Sequence, residues 1–444
     1  MRIGHRFQSR VLRGAAASTI GALLLLPAPS VNAVERTVTS CAEYGPGTLR
    51  AQVAASASGD VVRIPTCGNL DLLGGEIEVP QENLTIIGQG YLPYISTALS
   101  SRVFHHTGTG TLQLQALQVT NGRIRGNVAT GGCIHSEGRV QLIAAHVGYC
   151  EAIGEGGENP MAMGGGIYAR TVEMRDSRVF SNLAAGPDSH GGGIATLDRV
   201  TLLRSRVYLN NAGNGGGIST LGGATITYSA IEMNTTEDDN AGIESSGGSV
   251  TINKSLISSN VAGRRCGGLC VQGTGRTSVL DSTIALNRAV FLGGGELSDN
   301  AEVSNSTVYA NVDTSGSVCA GAIRAKHLDL QSSIVAQNVC LAAPGQFFDI
   351  GGRPWEGWTL TGADNIVRGS LVPVPPDTLA VNPMLEAAHA NGGPTMTYRL
   401  LRGSPAIDRG NNNASRSYDQ RGPGYPRVFG PRADIGAYEV QKTY

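Results

Sequence analysis

The amino-acid sequence predicts an all-β fold, a right-handed parallel β-helix (solenoid) of roughly ten coils. A short capping helix is expected at its N-terminal end and an irregular module at its C-terminal end. The prediction rests on tandem units of about 26 residues that run from Gly164 to Asn338. Each unit has a glycine-rich start and a small residue, serine, followed five positions later by asparagine. These asparagines are Asn182, Asn210, Asn234, Asn260, Asn287, Asn311 and Asn338.

Aliphatic residues recur three positions before and two positions after each marker serine, as Met174 and Val179 do around Ser177. Most residues between them are polar, and an alternation of period two indicates strands with one buried face. A unit of about 26 residues cannot bury that face alone, so the units must stack as coils. Parallel connections of this kind are normally right-handed.

The in-phase asparagines are predicted to be structural. Asparagine tolerates the left-handed backbone conformation at a bend. Amides stacked once per coil can also form hydrogen bonds to the coils on either side, as in other asparagine ladders. The glycines relieve steric conflict where the backbone turns sharply between strands.

The composition fits many short strands joined by tight turns. Of 444 residues, 62 are glycine, and charged residues make up only 16%. The net charge of −1 gives no reason to expect nucleic-acid binding. A monomer without cofactors is expected.

Residues 1–33 predict a signal peptide that is cleaved near Ala33. A basic start precedes the apolar stretch 14–26. That stretch is shorter than the ~20 residues of a transmembrane helix, so no transmembrane span is expected. The mature protein is expected to be secreted or associated with the cell surface or outer membrane.

An exported protein can keep its eight cysteines as disulfides. Local pairing is favoured, as Cys41–Cys67, Cys133–Cys150, Cys266–Cys270 and Cys319–Cys340. Eight cysteines allow about 105 connectivities, so spacing alone leaves alternatives open. A zinc site is disfavoured because no second Cys/His pair stands at ligand spacing.

The chain after the signal divides into three parts. Residues 34–100 are expected to hold the N-terminal cap, with a helix over 46–58, and the first coils. Residues 101–343 hold the repeats. Residues 344–444 hold a last irregular coil and the C-terminal module.

Several tail motifs and the N-terminal Gly45–Arg50 closely resemble exported bacterial β-helix proteins with a choice-of-anchor Q-type C-terminal module. The tail motifs are Asn382–Leu385, Asn391–Thr395, Gly403–Asp408, Asp419–Gly422 and Asp434–Glu439. The resemblance implies an exported, surface-associated β-helix. Only five residues follow Glu439. Release or non-covalent surface attachment is therefore expected rather than covalent anchoring.

Candidate site residues come from the column that precedes the marker serines: Asp176, Arg204, Tyr228, Lys254, Asp281 and Asn305. If these side chains point outward in successive coils, Arg204, Tyr228 and Lys254 could neutralise a uronate carboxylate and remove the adjacent proton. Arg178 and Arg206 would widen the basic patch. The alternative is a solvated face with the ion pairs Asp176–Arg204 and Lys254–Asp281.

Other candidates are weaker. Trp355 and Trp358 could bind sugar faces or form an apolar lid over the end of the rod. Glu237, Asp238 and Asp239 could hold calcium, although a three-residue acidic run lacks spaced ligands. The early histidines His105, His106, His135 and His146 are commoner as surface or turn residues than as metal ligands. Asp408, Asp419 and Asp434 are expected to form turns.

Two functions fit these observations. The first is a non-catalytic surface or adhesion protein that binds a glycan, host or matrix ligand. It is favoured because the known β-helix polysaccharide-lyase motifs are missing from the sequence. The second is a lyase or hydrolase that acts on an acidic glycan.

Overall fold

The computed structural model describes residues 33–65, 67–90, 92–316 and 319–442. Strands that recur once per coil align in parallel sheets along the stack, as the repeats predict. The predicted signal peptide lies almost entirely outside the described residues. The only α-helix of the described part spans Leu49–Ala54, and a short 3-10 helix spans Pro354–Glu356.

The first sheet has 21 strands. They are Glu35–Thr37, Val61–Ile64, Ile77–Val79, Asn83–Gly88, Phe104–His106, Thr111–Gln115, Ile134–Ile143, Ile167–Arg175, Ile194–Thr196, Val200–Leu203, Ile218–Thr220, Ala224–Thr227, Ile243–Ser245, Val250–Asn253, Leu269–Val271, Thr277–Leu280, Gly295–Glu296, Asn300–Ser304, Ile323–Arg324, His327–Gln331 and Thr359–Ala363.

The second sheet has 12 strands, one in each coil. They are Asn69–Asp71, Tyr94–Ser96, Gln118–Thr120, His146–Gly148, Arg178–Phe180, Arg206–Tyr208, Ala230–Glu232, Leu256–Ser258, Thr283–Ala285, Thr307–Tyr309, Ile334–Ala336 and Ile366–Val367. The stack is therefore slightly longer than the roughly ten coils expected, because irregular units at both ends also contribute strands.

The third sheet has nine strands: Arg123–Gly126, Glu151–Gly154, Leu183–Ala185, Asn211–Ala212, Thr235–Thr236, Val261–Ala262, Arg288–Ala289, Val312–Asp313 and Val339–Cys340. A fourth has three: Val128–Thr130, Met161–Met163 and Asp188–His190.

The core is a set of aliphatic columns inside the coils. Ile134, Ile167, Ile194 and Ile218 are register partners in neighbouring coils, and all four are fully buried. Each coil alone would leave its apolar face exposed. Stacking buries that face from coil to coil, which is the physical reason for the repeat.

The asparagines form a continuous ladder. Asn182 Nδ2 donates to Asn210 Oδ1 at 2.9 Å, and this pattern continues to Asn338, whose Nδ2 donates to Asp349 Oδ1 at 2.8 Å. The expectation that asparagine itself takes the left-handed conformation is wrong. The residue before it does so, as Ser181 (φ +52°) does before Asn182. That residue turns the corner, which leaves the asparagine side chain inside.

The helix is shorter than the predicted 46–58. Its first turn is capped by Thr48, whose side chain accepts a hydrogen bond from Ala51 N at 3.3 Å. At its other end, Gln81 Nε2 donates to the carbonyls of Val53 and Ser56, both at 2.9 Å. The distant glutamine satisfies carbonyls that a longer helix would have used.

All eight cysteines are paired, as Cys41–Cys67, Cys133–Cys150, Cys266–Cys270 and Cys319–Cys340. Disulfides of this number indicate an oxidising environment. Within the described residues, no helix combines the length and hydrophobicity needed to span a bilayer.

The tail folds back onto the second sheet. Leu400, Ala406 and Ile435 form one apolar cluster with Ile334 and Ile366 of the coils. Polar bonds extend this contact: Gln420 Oε1 accepts from Thr283 Oγ1 at 2.6 Å, and Ala437 N donates to Thr307 Oγ1 at 3.0 Å. The tail is therefore a docked part of the rod, not a flexible appendage.

Two of the tail aspartates are more than turn-formers. Asp419 is fully buried and binds the Arg421 guanidinium, with an Oδ2–Nη2 distance of 2.6 Å. Asp434 is also buried and accepts bonds from the backbone nitrogens of Asp408 and Val440. The turn prediction used neighbouring glycine and proline residues, which give no information about contacts distant in sequence.

Glu439, the last residue of the tail motifs, is held within the same buried region. Its carboxylate accepts from Arg427 Nη2 at 2.9 Å and from Asp434 N at 2.8 Å. Burial still raises the pKa of Glu439 to about 7. The tail motifs therefore supply buried polar contacts that hold the tail's own turns together.

Candidate functional site

The predicted site column lies at the corner between the first and second sheets. Each of its six residues has a left-handed backbone, with φ between +44° at Asp281 and +52° at Asp176. The corner repeats once per coil, so these positions are neighbours along the stack. The predicted alignment of the column is therefore present.

The expectation that the whole column is open is wrong. Lys254 Nζ donates to Asp281 Oδ2 at 2.9 Å and to the carbonyls of Tyr418 and Asp419 at 2.5 and 3.1 Å. Asn305 Nδ2 donates to the carbonyl of Asn411 at 3.0 Å. The tail therefore covers the coils that contain Lys254, Asp281 and Asn305. The repeat pattern within the coils gives no information about which face the tail covers.

These contacts remove the chemistry expected of the Arg204, Tyr228 and Lys254 strip. Burial lowers the pKa of Lys254, but its three N–H groups donate to Asp281 and to two tail carbonyls, so its amine faces the tail and not an external ligand. Burial, together with Asp281 and Tyr418, raises the pKa of Tyr228, which makes it harder to ionise as a base. Arg204 binds Asp176 through two bonds of 2.7 and 2.8 Å.

A shallow cavity of about 230 Å³ remains beside the edge of the tail. Arg178, Arg204, Arg206 and Tyr228 line it together with Pro394 of the tail. The structure thus brings together four of the predicted site residues. Lys254, the fifth residue of the predicted patch, lies under the tail.

The three arginines differ in their partners. Arg204 is bound to Asp176, and Arg206 pairs with the buried Glu232. Arg178 is exposed, and none of the described carboxylates forms an ion pair with it. Arg178 is therefore the cation of this cavity that is free to bind an external anion.

Arg178 belongs to a column of basic side chains on the second sheet. His146, Arg178 and Arg206 are register partners on three adjacent parallel strands. They hold the first position of strands His146–Gly148, Arg178–Phe180 and Arg206–Tyr208. Burial and the charge of Arg178 lower the pKa of His146.

Aromatic residues flank this column. Phe180 stacks on Tyr208 with ring centroids 5.4 Å apart, and Tyr149 contacts Phe180 edge-on at 5.3 Å. Gly148 makes room for the Phe180 ring, because a Cβ there would lie 2.7 Å from Phe180 Cζ. We call His146, Arg178, Arg206, Tyr149, Phe180 and Tyr208 the basic–aromatic face.

Sequence reasoning identified Arg178 and Arg206 but missed the aromatic part of this face and its link to His146. The positions of these residues relative to the marker serines could have revealed the face. Phe180 and Tyr208 each stand three positions after a marker serine, and Arg178 and Arg206 stand one position after it. Comparison of these phases between units would have placed the four side chains on one sheet.

The two tryptophans lie elsewhere, in the last coil. Trp358 packs against the core, with the Arg324 guanidinium 6.0 Å from its ring centroid. Trp355 is 80% exposed in the short 3-10 helix. Trp358 thus serves as the expected apolar cover, while Trp355 remains open to solvent.

The acidic run Glu237–Asp239 does not form a convergent set of oxygens. Asp238 and Asp239 lie 3.6 and 4.0 Å from Arg264, which opposes cation binding. Among the described residues, Glu76, Glu78 and His105 lie close enough together to hold a metal ion. Cys266 and Cys270 also lie near Glu296, but their disulfide leaves no thiolate to bind a metal.

The early histidines have mostly internal partners. His105 and His135 are register partners in neighbouring coils, and their rings lie edge-on with centroids 5.0 Å apart. Both nitrogens of the buried His106 have hydrogen-bond partners, Ser136 Oγ at 2.7 Å and the Gln81 carbonyl at 2.9 Å. His146 is the member of this group that lies on the basic–aromatic face.

Comparison with known proteins shows a likeness of fold. No protein-family model matches the chain, and no curated protein matches its sequence. The fold is similar to the crystal structure of pectate lyase Pel9A, with a TM-score of 0.47 and 15% identity over 92% of this chain and 97% of that one. A likeness at this level carries no information about activity.

Proposed function

We propose that this protein is an exported, non-catalytic β-helix that binds an acidic polysaccharide through the basic–aromatic face. The observation that carries the proposal is Arg178, an exposed guanidinium that forms no ion pair within the described part of the chain and lies between two other basic residues of its column. Guanidinium groups bind carboxylates through paired, charge-assisted hydrogen bonds.

The aromatic residues complete a surface suited to a sugar polymer. Tyr149 is 53% exposed, and its neighbours Phe180 and Tyr208 are partly exposed. Tyrosine combines an apolar body with a polar tip, so it can contact both the C–H groups and the hydroxyls of a sugar. The basic column would supply the charge complementarity and the aromatic residues the apolar contact.

The contacts of Lys254 with the tail support a binding function rather than a catalytic one. A lyase needs a base within reach of the proton it removes. Lys254 is held by the tail through its three hydrogen bonds, and the raised pKa of Tyr228 disfavours its ionised form, so neither residue is well placed to act as such a base.

The disulfides support export, because they persist in oxidising compartments. We further propose that the protein is secreted or associated with the cell surface. The choice-of-anchor Q-like tail would then be a docked structural module, in keeping with its buried contacts on the second sheet.

Replacing Arg178 by alanine is expected to weaken binding to an acidic polysaccharide about 10- to 100-fold, since a hydrogen bond to a charged group contributes about 1.5–3 kcal/mol. The fold should be unaffected because Arg178 is exposed. Equilibrium binding to a panel of acidic and neutral polysaccharides at low salt measures the change. The loss should shrink as salt screens the charges.

Arg276→Ala is the matched control. Arg276 is an exposed arginine next to the first sheet, paired with Glu302 at 2.9 Å. Its removal should leave binding unchanged. Equal losses in the two variants would indicate only non-specific charge attraction. Accumulation of unsaturated uronate products, followed by ultraviolet absorbance, would contradict the non-catalytic assignment.

A further inference from the structure

The three basic side chains of the column are evenly spaced along the stack of coils. His146, Arg178 and Arg206 occupy equivalent positions on adjacent parallel strands. Adjacent strands lie about 4.8 Å apart, so the three side chains start from points evenly spaced along the stacking direction. That interval is close to the length of one sugar residue in an extended polysaccharide.

We propose that the ligand is a linear polyuronate with a carboxylate on every sugar residue, and that it lies parallel to the stacking direction of the coils. Consecutive carboxylates would pair with Arg206, Arg178 and His146, one residue per coil. Arg206 would donate from the guanidinium N–H groups that its bond to Glu232 leaves free. This inference rests on the proposed function and specifies the ligand, its direction and a third contact residue.

The aromatic residues favour the same direction. Phe180 and Tyr208 are register partners on neighbouring strands, and their rings are nearly parallel, with 12° between the planes. The two rings form a continuous apolar surface beside Arg178 and Arg206. A polymer that follows the basic column would keep contact with this surface from one coil to the next, whereas a polymer lying along a strand would leave it.

The column ends on both sides, which limits its length. The strand before His146 has Gln118 in the register position, and the strand after Arg206 has Ala230. Ala230 is buried and lines the cavity together with Pro394 of the tail. The basic stretch therefore spans three coils, and a three-residue segment of the polymer should contain its charged contacts.

His146 makes the third contact dependent on pH. The register neighbours that face it are the uncharged Gln118 and the charged Arg178. Burial and Arg178 hold the pKa of His146 below its ordinary value of 6.5, so the free side chain is neutral at pH ~7.5. A bound carboxylate would raise this pKa. Binding would then take up a proton, and affinity would increase as the pH falls and decrease as it rises.

Titration calorimetry with two polymers tests the proposal. Polygalacturonate carries a carboxylate on every residue, and hyaluronan carries one on alternate residues. We expect wild-type protein to bind polygalacturonate about tenfold more tightly at equal uronate concentration, the equivalent of one charged contact. We also expect affinity for polygalacturonate to increase severalfold between pH ~7.5 and pH ~5.

His146→Gln should remove the increase in affinity at low pH, so that at pH ~5 it binds polygalacturonate severalfold more weakly than wild-type protein. The coil accepts glutamine at this position, because Gln118 occupies it one coil earlier. Equal affinity for the two polymers, or an unchanged pH response in His146→Gln, would overturn the inference while leaving the Arg178-dependent binding intact. A failure of wild-type protein to bind either polymer would overturn the proposed function itself.

Discussion

Replacing Asp281 by asparagine is expected to destabilise the protein by about 3–5 kcal/mol, the cost of removing one partner from a buried ion pair. Asp281 is 1% exposed and has three cationic neighbours: Lys254 Nζ at 2.9 Å, Arg416 Nη1 at 3.3 Å and Arg427 Nη1 at 3.9 Å. A neutral amide would leave these buried charges without their shared counterion.

The loss should include detachment of the tail, because Arg416 and Arg427 belong to the tail while Asp281 and Lys254 belong to the coils. Denaturant unfolding measures the change in free energy, and limited proteolysis shows whether residues after about 410 become accessible first. Asparagine keeps the shape of aspartate and tolerates its left-handed backbone, so any loss reports the charge.

Asp176→Asn is the matched control, since Asp176 holds the same corner position in an earlier coil. Its ion pair with Arg204 is exposed, at 44% and 42% of the two side chains. An exposed pair contributes only about 0–1 kcal/mol. Similar losses for Asp176→Asn and Asp281→Asn would contradict the role assigned to the tail contact.

Replacing Asn287 by alanine is expected to cost about 3 kcal/mol or more, because it breaks the ladder at its centre. Asn287 Oδ1 accepts from the backbone N and the Nδ2 of Asn260, and its own Nδ2 donates to the Ile257 carbonyl and to Asn311 Oδ1, all at 2.9–3.1 Å. Alanine would remove four buried hydrogen bonds and leave the backbone N–H of Asn260 without its acceptor, away from water.

Thermal and denaturant unfolding measure this loss. Asn300→Ala is the control, because Asn300 is an exposed residue at the start of a first-sheet strand. Its removal should change stability by no more than about 0.5 kcal/mol. A small effect of Asn287→Ala would mean that the neighbouring coils close up and restore the lost bonds.

The parts of the fold that repeat could be predicted from sequence. A serine and an asparagine at constant spacing placed Asn182 to Asn338 in successive coils, and the stacking of coils then required their amides to meet. The same phase put Asp176 next to Arg204, and Lys254 next to Asp281. These contacts join equivalent positions, so one unit contains the information for all of them.

The contacts that the sequence did not predict join parts of the chain that do not repeat. Lys254 meets the carbonyls of Tyr418 and Asp419, more than 160 residues away. Gln81 ends the helix at Val53 from 28 residues away. Composition near either partner gives no sign of the other. Sequence reasoning therefore treats the whole column as exposed, whereas the tail covers the part that contains Lys254.

Mapping the bound polymer on the protein is the most direct test of the proposed binding site. Hydroxyl-radical footprinting, read by mass spectrometry, measures the exposure of individual side chains with and without an acidic polysaccharide. We predict protection of Tyr149, Phe180 and Tyr208, with Trp355 unchanged and with the protection lost in Arg178→Ala. Protection of Trp355 without any change at Tyr149 and Tyr208 would contradict the assignment of the basic–aromatic face as the binding site.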